Sequence, residues 1–230
     1  MPAEIPSSVD DAITSRQSAR QYLDKPLSRE QVAHLLEVAR FAPSGTNTQP
    51  WKVYVVAGAA KQALSDEILA DYWVNGESPD REYDYYPTEW FEPYLGRRRV
   101  CGWGLYGALG ISRGMKDEMN AQRARNYSFF GAPVGMIFGI DRRLNVGSWM
   151  DLGMFVQNIM IAARGQGLHT CAQASFANYP GIVRKHLEIP QEEIVVCGMA
   201  LGYRDPDAPE NVWRTERDMV ESFTHWAGFE

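Results

Sequence analysis

Arg16, Ser18 and Arg20 lie at i, i+2 and i+4 in the stretch SRQSARQY (15–22). On an extended or turning backbone they share one side and present two guanidiniums and a hydroxyl. Arginine stays charged and offers a planar fork of donors, so the set suits a phosphate, or else a solvated basic turn. Near the other end, NVWRTERDMVESF (211–223) carries Arg214 and Arg217. Alone they read as charge at a helix start. Brought to Arg16 and Arg20, they would complete an anion cradle.

A second chemical stretch is FAPSGTNTQPW (41–51). Its small and polar residues, Ser44 to Gln49, join two well-patterned elements where a short connection would do. A loop so rich in donors and acceptors suits a flat, polar-edged partner. Other motifs fail on context. GWGLYG (102–107) fits G-x-G-x-x-G, but GRRRVC precedes it where a dinucleotide fingerprint needs an apolar strand. Close helix packing explains those glycines as well. His34, His169, His186 and His225 do not lie at zinc-ligand spacing, and no nucleophile-elbow sequence is present. The expectation is therefore no metal and no side-chain nucleophile.

The elements that must position these residues are legible in outline. Ser8 caps a short helix over 8–15 with Val9, Ala12 and Ile13 on one face. Ser28 and Gln31 form a capping box for a helix over 28–41, Leu27 can staple onto Val32, and Pro43 ends the pattern. KVYVVAG (52–58) reads as a strand, followed by a helix near 59–70. Residues 71–100 form an aromatic-rich excursion, too aromatic for disorder, and read either as a lid or as a surface insertion clamped by its own rings. A helix is expected over 103–126 and a buried strand over 132–141. Residues 151–167, apolar on nearly every side, should be a central buried helix. A helix over 180–187 and a core strand over 193–203 complete the pattern. His169 and Cys171 alternate as on a strand. Few strands separated by helices point to a sheet wrapped by helices.

Bulk properties narrow the classes. The 230 residues are 45% hydrophobic and 23% charged, as in globular proteins. A net charge of −6 argues against a nucleic-acid binder. No run is long enough for a membrane span, and MPAEIPSSVDDA lacks the pattern of a signal peptide. Three widely spaced cysteines suit a reducing cytoplasm.

Taken in order, R-x-S-x-R, APSGTNTQPW, DLGMFVQNIMIAARGQGL and ALGYRD followed by WRTER resemble the FMN-dependent nitroreductase family from about residue 12 to 220. The aromatic insertion and RNYSFFGAPVG look most like the bacterial reductases acting on nitrobenzoates and related nitroaromatics. The resemblance implies an α+β fold with a mostly antiparallel sheet wrapped by helices, one domain over 1–230, and a domain-swapped-style homodimer with FMN at the interface. It assigns Arg16, Gln17, Ser18, Arg20, Arg214 and Arg217 to the FMN phosphate and ribityl chain. Pro43, Ser44, Gly45, Asn47 and Gln49 would reach the flavin from the partner subunit. Asn126 matches a residue at the flavin's pyrimidine edge, and Ala174 and Ser175 lie where backbone amides meet N5, although AQAS departs from the family's Glu-Gly or Gly-Gly. Candidates for meeting a substrate are Thr46, Tyr85, Trp90, Arg97 and Phe129, with Arg98 and Arg99 beside Arg97.

The implied activity is NADH- or NADPH-dependent, ping-pong reduction of a nitroaromatic in two-electron steps to the hydroxylamine, with no catalytic side chain. Ene reduction, dehalogenation or flavin reduction on the same fold, or non-catalytic flavin binding, remain as alternatives.

Overall fold

A computed structural model describes residues 5–78 and 80–229. Residues 1–4, on which the reading of the N-terminus partly rests, lie outside them, as does Pro79 within the expected excursion.

Ser8 caps α1 (Val9–Ser15) by accepting from the Asp11 amide. The Ser28–Gln31 capping box opens α2 (Arg29–Ala39) as expected. β1 (Lys52–Ala57) runs straight into α3 (Gly58–Asn75), which is longer than the pattern implied. After the excursion come α4 (Tyr94–Ala108) and α5 (Lys116–Ala124). The single helix expected over 103–126 is thus broken. Gly110 and Gly114 take φ of +69° and +96° between the two, a conformation that ends a right-handed helix. A 3-10 stretch, Arg125–Gly131, then leads to β2 (Val134–Asp141). The rest is α6 (Val146–Gly165), β3 (His169–Gln173), a 3-10 turn Ala174–Asn178, α7 (Pro180–Leu187), β4 (Glu193–Gly202) and the single turn α8 (Pro209–Val212).

The four strands form one antiparallel sheet in the order β1-β2-β4-β3. Side chains alternate between its faces. Met136 and Phe138 of β2 join Leu35 of α2 and Phe155 and Ile159 of α6. Ile137, between them, joins Leu64, Ile68 and Tyr72 of α3 and Val183 of α7 on the other face. Both faces are covered, which is why β2 reads as an unbroken apolar run. The α+β class with an antiparallel sheet is the one expected. Trp51 stacks on Phe155 with centroids 4.7 Å apart, so it anchors β1 to α6.

α6 starts five residues before the helix expected over 151–167, and it carries an exposed stripe that reaches Met154 inside that range. Val146, Met150 and Met154 lie four residues apart on one face and are exposed. Val9 and Ile13 of α1 are exposed too, and only Ala12 is buried there. Periodicity records which faces are apolar. It does not record whether the covering surface belongs to the same chain.

β3 is an edge strand, and the segment after α1 runs along it. Ser18 bridges Thr170, the Ala19 amide donates to the Thr170 carbonyl, and the Leu23 amide donates to Tyr203. This covers an otherwise open edge and brings the N-terminal arginines to the far end of the sheet.

Candidate functional site

Arg16, Gln17, Ser18 and Arg20 share one cleft of about 510 Å³ with Arg214 and Arg217. Two pieces of chain nearly 200 residues apart in sequence therefore meet, as the cradle required. Among the described residues no carboxylate lines the cleft. The Arg16 pKa is pushed down, first by burial and then by the like charges of Arg217 and Arg214. Guanidiniums gathered this closely repel one another, and a bound anion relieves that repulsion. Arg214 also donates to the carbonyls of Thr14 and Ser15, which holds it at the end of α1.

A second hollow, of about 280 Å³, is lined by Asn126, Gln173, Ala174, Ser175, Tyr85 and Arg81, among others. It stands at the other end of β3. From Thr170, bridged to Ser18, to Ala174 is four residues, or about 14 Å at the rise of a strand. Ala172, the exposed residue of β3, is small and lets a flat group approach. Gln173 is buried and donates through Nε2 to the Asn126 carbonyl at 2.6 Å. The turn that presents Ala174 and Ser175 is fixed by Phe176, whose ring stacks on Phe129 at 4.4 Å.

That stacking removes Phe129 from the expected substrate set. Its ring is fully buried, and a Cβ on Gly135 would lie 2.8 Å from its Cδ1. Phe129 and Phe130 adopt φ of +53° and +54°, a left-handed turn that drives both rings into the core. Arg97 is also displaced from its expected role. It pairs with Asp218 and lines a neighbouring cleft with Arg217 and Phe223, on the side of the cradle. Trp90 packs on Tyr86 and beneath Arg98 and lines neither hollow nor cradle. Tyr85 does line the hollow, and Arg81 is its one cationic residue among the described residues.

The loop from Pro43 to Gln49 lines neither cleft. Thr46, Asn47 and Gln49 all hold positive φ, a costly concentration in residues other than glycine. Gly45 donates its amide to the buried carboxylate of Asp151 on α6, and Gln49 donates its amide to Ser44 Oγ. Within one chain this braced loop faces outward.

Four residues that matter here were missed from sequence: Arg81, Asp151, Gln173 and Asn211. Each lies in a stretch singled out for other residues, and for Asp151, Gln173 and Asn211 the partners that give them a role are distant along the chain. The aromatic excursion is ordered, because Glu82 accepts from Arg142 and Arg184 and Tyr83 donates to the Val196 carbonyl.

Fold and site together define an α+β protein with an arginine-lined cleft joined by one strand to a polar hollow. The chain belongs to the Nitroreductase family, whose model matches residues 13–203. It is 39% identical to a 4-nitrobenzoate reductase of Pseudomonas putida, over 96% of each chain. It is likewise 39% identical to a nitrobenzene nitroreductase of Ectopseudomonas oleovorans, over 94% of this chain and 95% of that one. Among solved structures, an FMN and NADPH-dependent nitroreductase from Sphigopyxis sp. strain HMH matches with a TM-score of 0.93 and 36% identity, over 96% of this chain and all of that one.

Proposed function

We propose that the protein is an FMN-dependent NAD(P)H oxidoreductase that reduces nitroaromatics. The observation that carries this reading is the arginine cradle, held about one strand length from the amides of Ala174 and Ser175. A flavin mononucleotide has an anion at one end and a flat ring with polar edges at the other. The residues present fit both ends. When bound, FMN supplies the redox chemistry, taking a hydride from the nicotinamide and passing reducing equivalents to the nitro group in two-electron steps.

The chain's own residues bind and orient. Arg16, Arg20, Arg214 and Arg217 neutralise the phosphate, with Gln17 and Ser18 adding polar contacts. Asn126 and the amides of Ala174 and Ser175 meet the ring edge, and such preorganised donors stabilise charge that develops there. Tyr85 offers a face on which an aromatic substrate stacks. Arg81, rather than Arg97, is the cation placed to attract a substrate carboxylate, as in a nitrobenzoate.

The single chain leaves this site half built. Loop residues Pro43 to Gln49 do not line their own hollow, and Val9, Ile13, Phe41, Met150 and Met154 are exposed. We read this face as the contact in a homodimer, each copy lending its loop, Thr46 included, to the other's hollow. Among the described residues no helix is long and apolar enough to cross a membrane, and the cysteines are unpaired. A cytoplasmic location agrees with both.

The test is the visible spectrum of purified protein. Flavin absorbance should bleach anaerobically with NADH or NADPH and return on adding 4-nitrobenzoate or nitrobenzene. Yellow protein that no reduced nicotinamide bleaches would favour flavin binding without catalysis, and colourless protein with no affinity for FMN would end the reading. Arg20→Ala should lose FMN on dialysis faster than the parent.

A further inference from the structure

We infer that Asn211 is a positioning residue for the anion cradle, holding the two chain ends in the register that turns their arginines into one cleft. Asn211 is 1% exposed, in α8, three residues before Arg214. Its Oδ1 accepts from the Arg20 amide at 2.8 Å. Its Nδ2 donates to the Gln21 carbonyl at 2.7 Å and to the Asp205 carbonyl at 2.8 Å. Its own main-chain carbonyl accepts from Gln17 Nε2 at 2.8 Å and from Arg204 Nη1 at 3.3 Å. The side-chain orientation is fixed by chemistry, since reversing the amide would set donor against donor and acceptor against acceptor.

Only asparagine supplies one acceptor and two donors at this reach. An apolar replacement would deprive the half-buried Arg20 amide and Asp205 carbonyl of these partners, and would leave the Gln21 carbonyl held by the Asp205 amide alone. Every polar atom of the Asn211 side chain is occupied within the chain, so it acts on an anion only through the arginines on either side. Trp213 secures the same segment from its other flank by packing against Gly104 of α4.

This inference rests on the reading of the cleft as the seat of the FMN phosphate. Full-length parent and Asn211→Ala proteins are titrated with FMN and with riboflavin, which lacks the phosphate, and their melting curves are recorded. FMN should bind the variant about tenfold more weakly or worse, with riboflavin affinity unchanged. A merely structural lesion would weaken both flavins alike, and that result, or an unaltered preference for FMN, would overturn the inference. If Asn211→Ala does not fold, Asn211→Ser carries the same comparison. A parent protein that binds riboflavin as tightly as FMN would instead remove the phosphate-seat reading, and this inference with it.

Discussion

Gln173 donates from Nε2 to the main-chain carbonyl of Asn126 at 2.6 Å, tying the end of β3 to the 3-10 stretch before β2. The bond sets the spacing between Asn126 and the Ala174 amide, two groups read here as holding one ring. Gln173→Leu leaves that carbonyl without its donor and should cost about 1–3 kcal/mol of stability. The hollow should also loosen, so the visible spectrum of bound flavin should shift. Parallel melting and absorption measurements check this, and an unshifted spectrum would count against the positioning of Asn126 by Gln173.

Arg81 and Arg97 make a paired prediction. Arg81 lines the hollow and is only loosely matched to Asp84 at 3.7 Å, whereas Arg97 is neutralised by Asp218. Arg81→Gln should raise KM for 4-nitrobenzoate about two- to fivefold, the scale of an exposed ion pair, and leave nitrobenzene unaffected. Arg97→Gln should not separate the two substrates. Steady-state kinetics with both compounds decides, and equal effects of Arg81→Gln on both would remove its role.

What was legible in the sequence was local. The Ser28–Gln31 box, Ser8 as a cap and the apolar runs of β1 and β4 each depend on neighbours within a few residues. The arginine pairs were visible as chemistry, although their meeting was not, because it depends on the edge pairing of Ser18 with Thr170. Phe129 misled because an aromatic in a polar-flanked stretch looks available. Its burial follows from the left-handed turn at 129–130 and from the room left by Gly135. The exposed stripe of α6 was hidden for a different reason: apolar spacing is the same whether the cover is one's own chain or another.

Gly104 tests the clamp on the C-terminal segment. Of the glycines in GWGLYG, Gly102 and Gly107 have open space beside them, whereas a Cβ on Gly104 would lie 2.8 Å from Trp213 Nε1 and closer still to two ring carbons. The indole is rigid, so Gly104→Ala must move Trp213 and, with it, Arg214. Overpacking of this kind costs about 1–3 kcal/mol. The expected outcome is a lower melting temperature together with faster FMN release, while Gly107→Ala should show neither. FMN retention unchanged in Gly104→Ala would show that the cradle tolerates displacement of Trp213.

His169 supplies a pH dependence whose sign follows from its surroundings. The imidazole is buried at the start of β3, and its Nδ1 has no hydrogen-bond partner among the described residues. Burial, and then the nearby charges of Arg164, Arg204 and Arg214, push its pKa down from 6.5 to about 3. Between those values the unfolded chain binds a proton that the folded chain refuses. Stability is therefore full above about pH 6.5 and falls as the pH drops towards 3, by up to about 1.4 kcal/mol per pH unit from this group. At pH 5 the loss amounts to about 2 kcal/mol. His169→Gln removes the titrating group, so the stability gap between parent and variant should move in the variant's favour on going from pH 7 to pH 5. Urea unfolding of both proteins at the two values measures that change directly. A gap that does not move with pH would mean that His169 protonates in the folded protein as readily as in the unfolded chain.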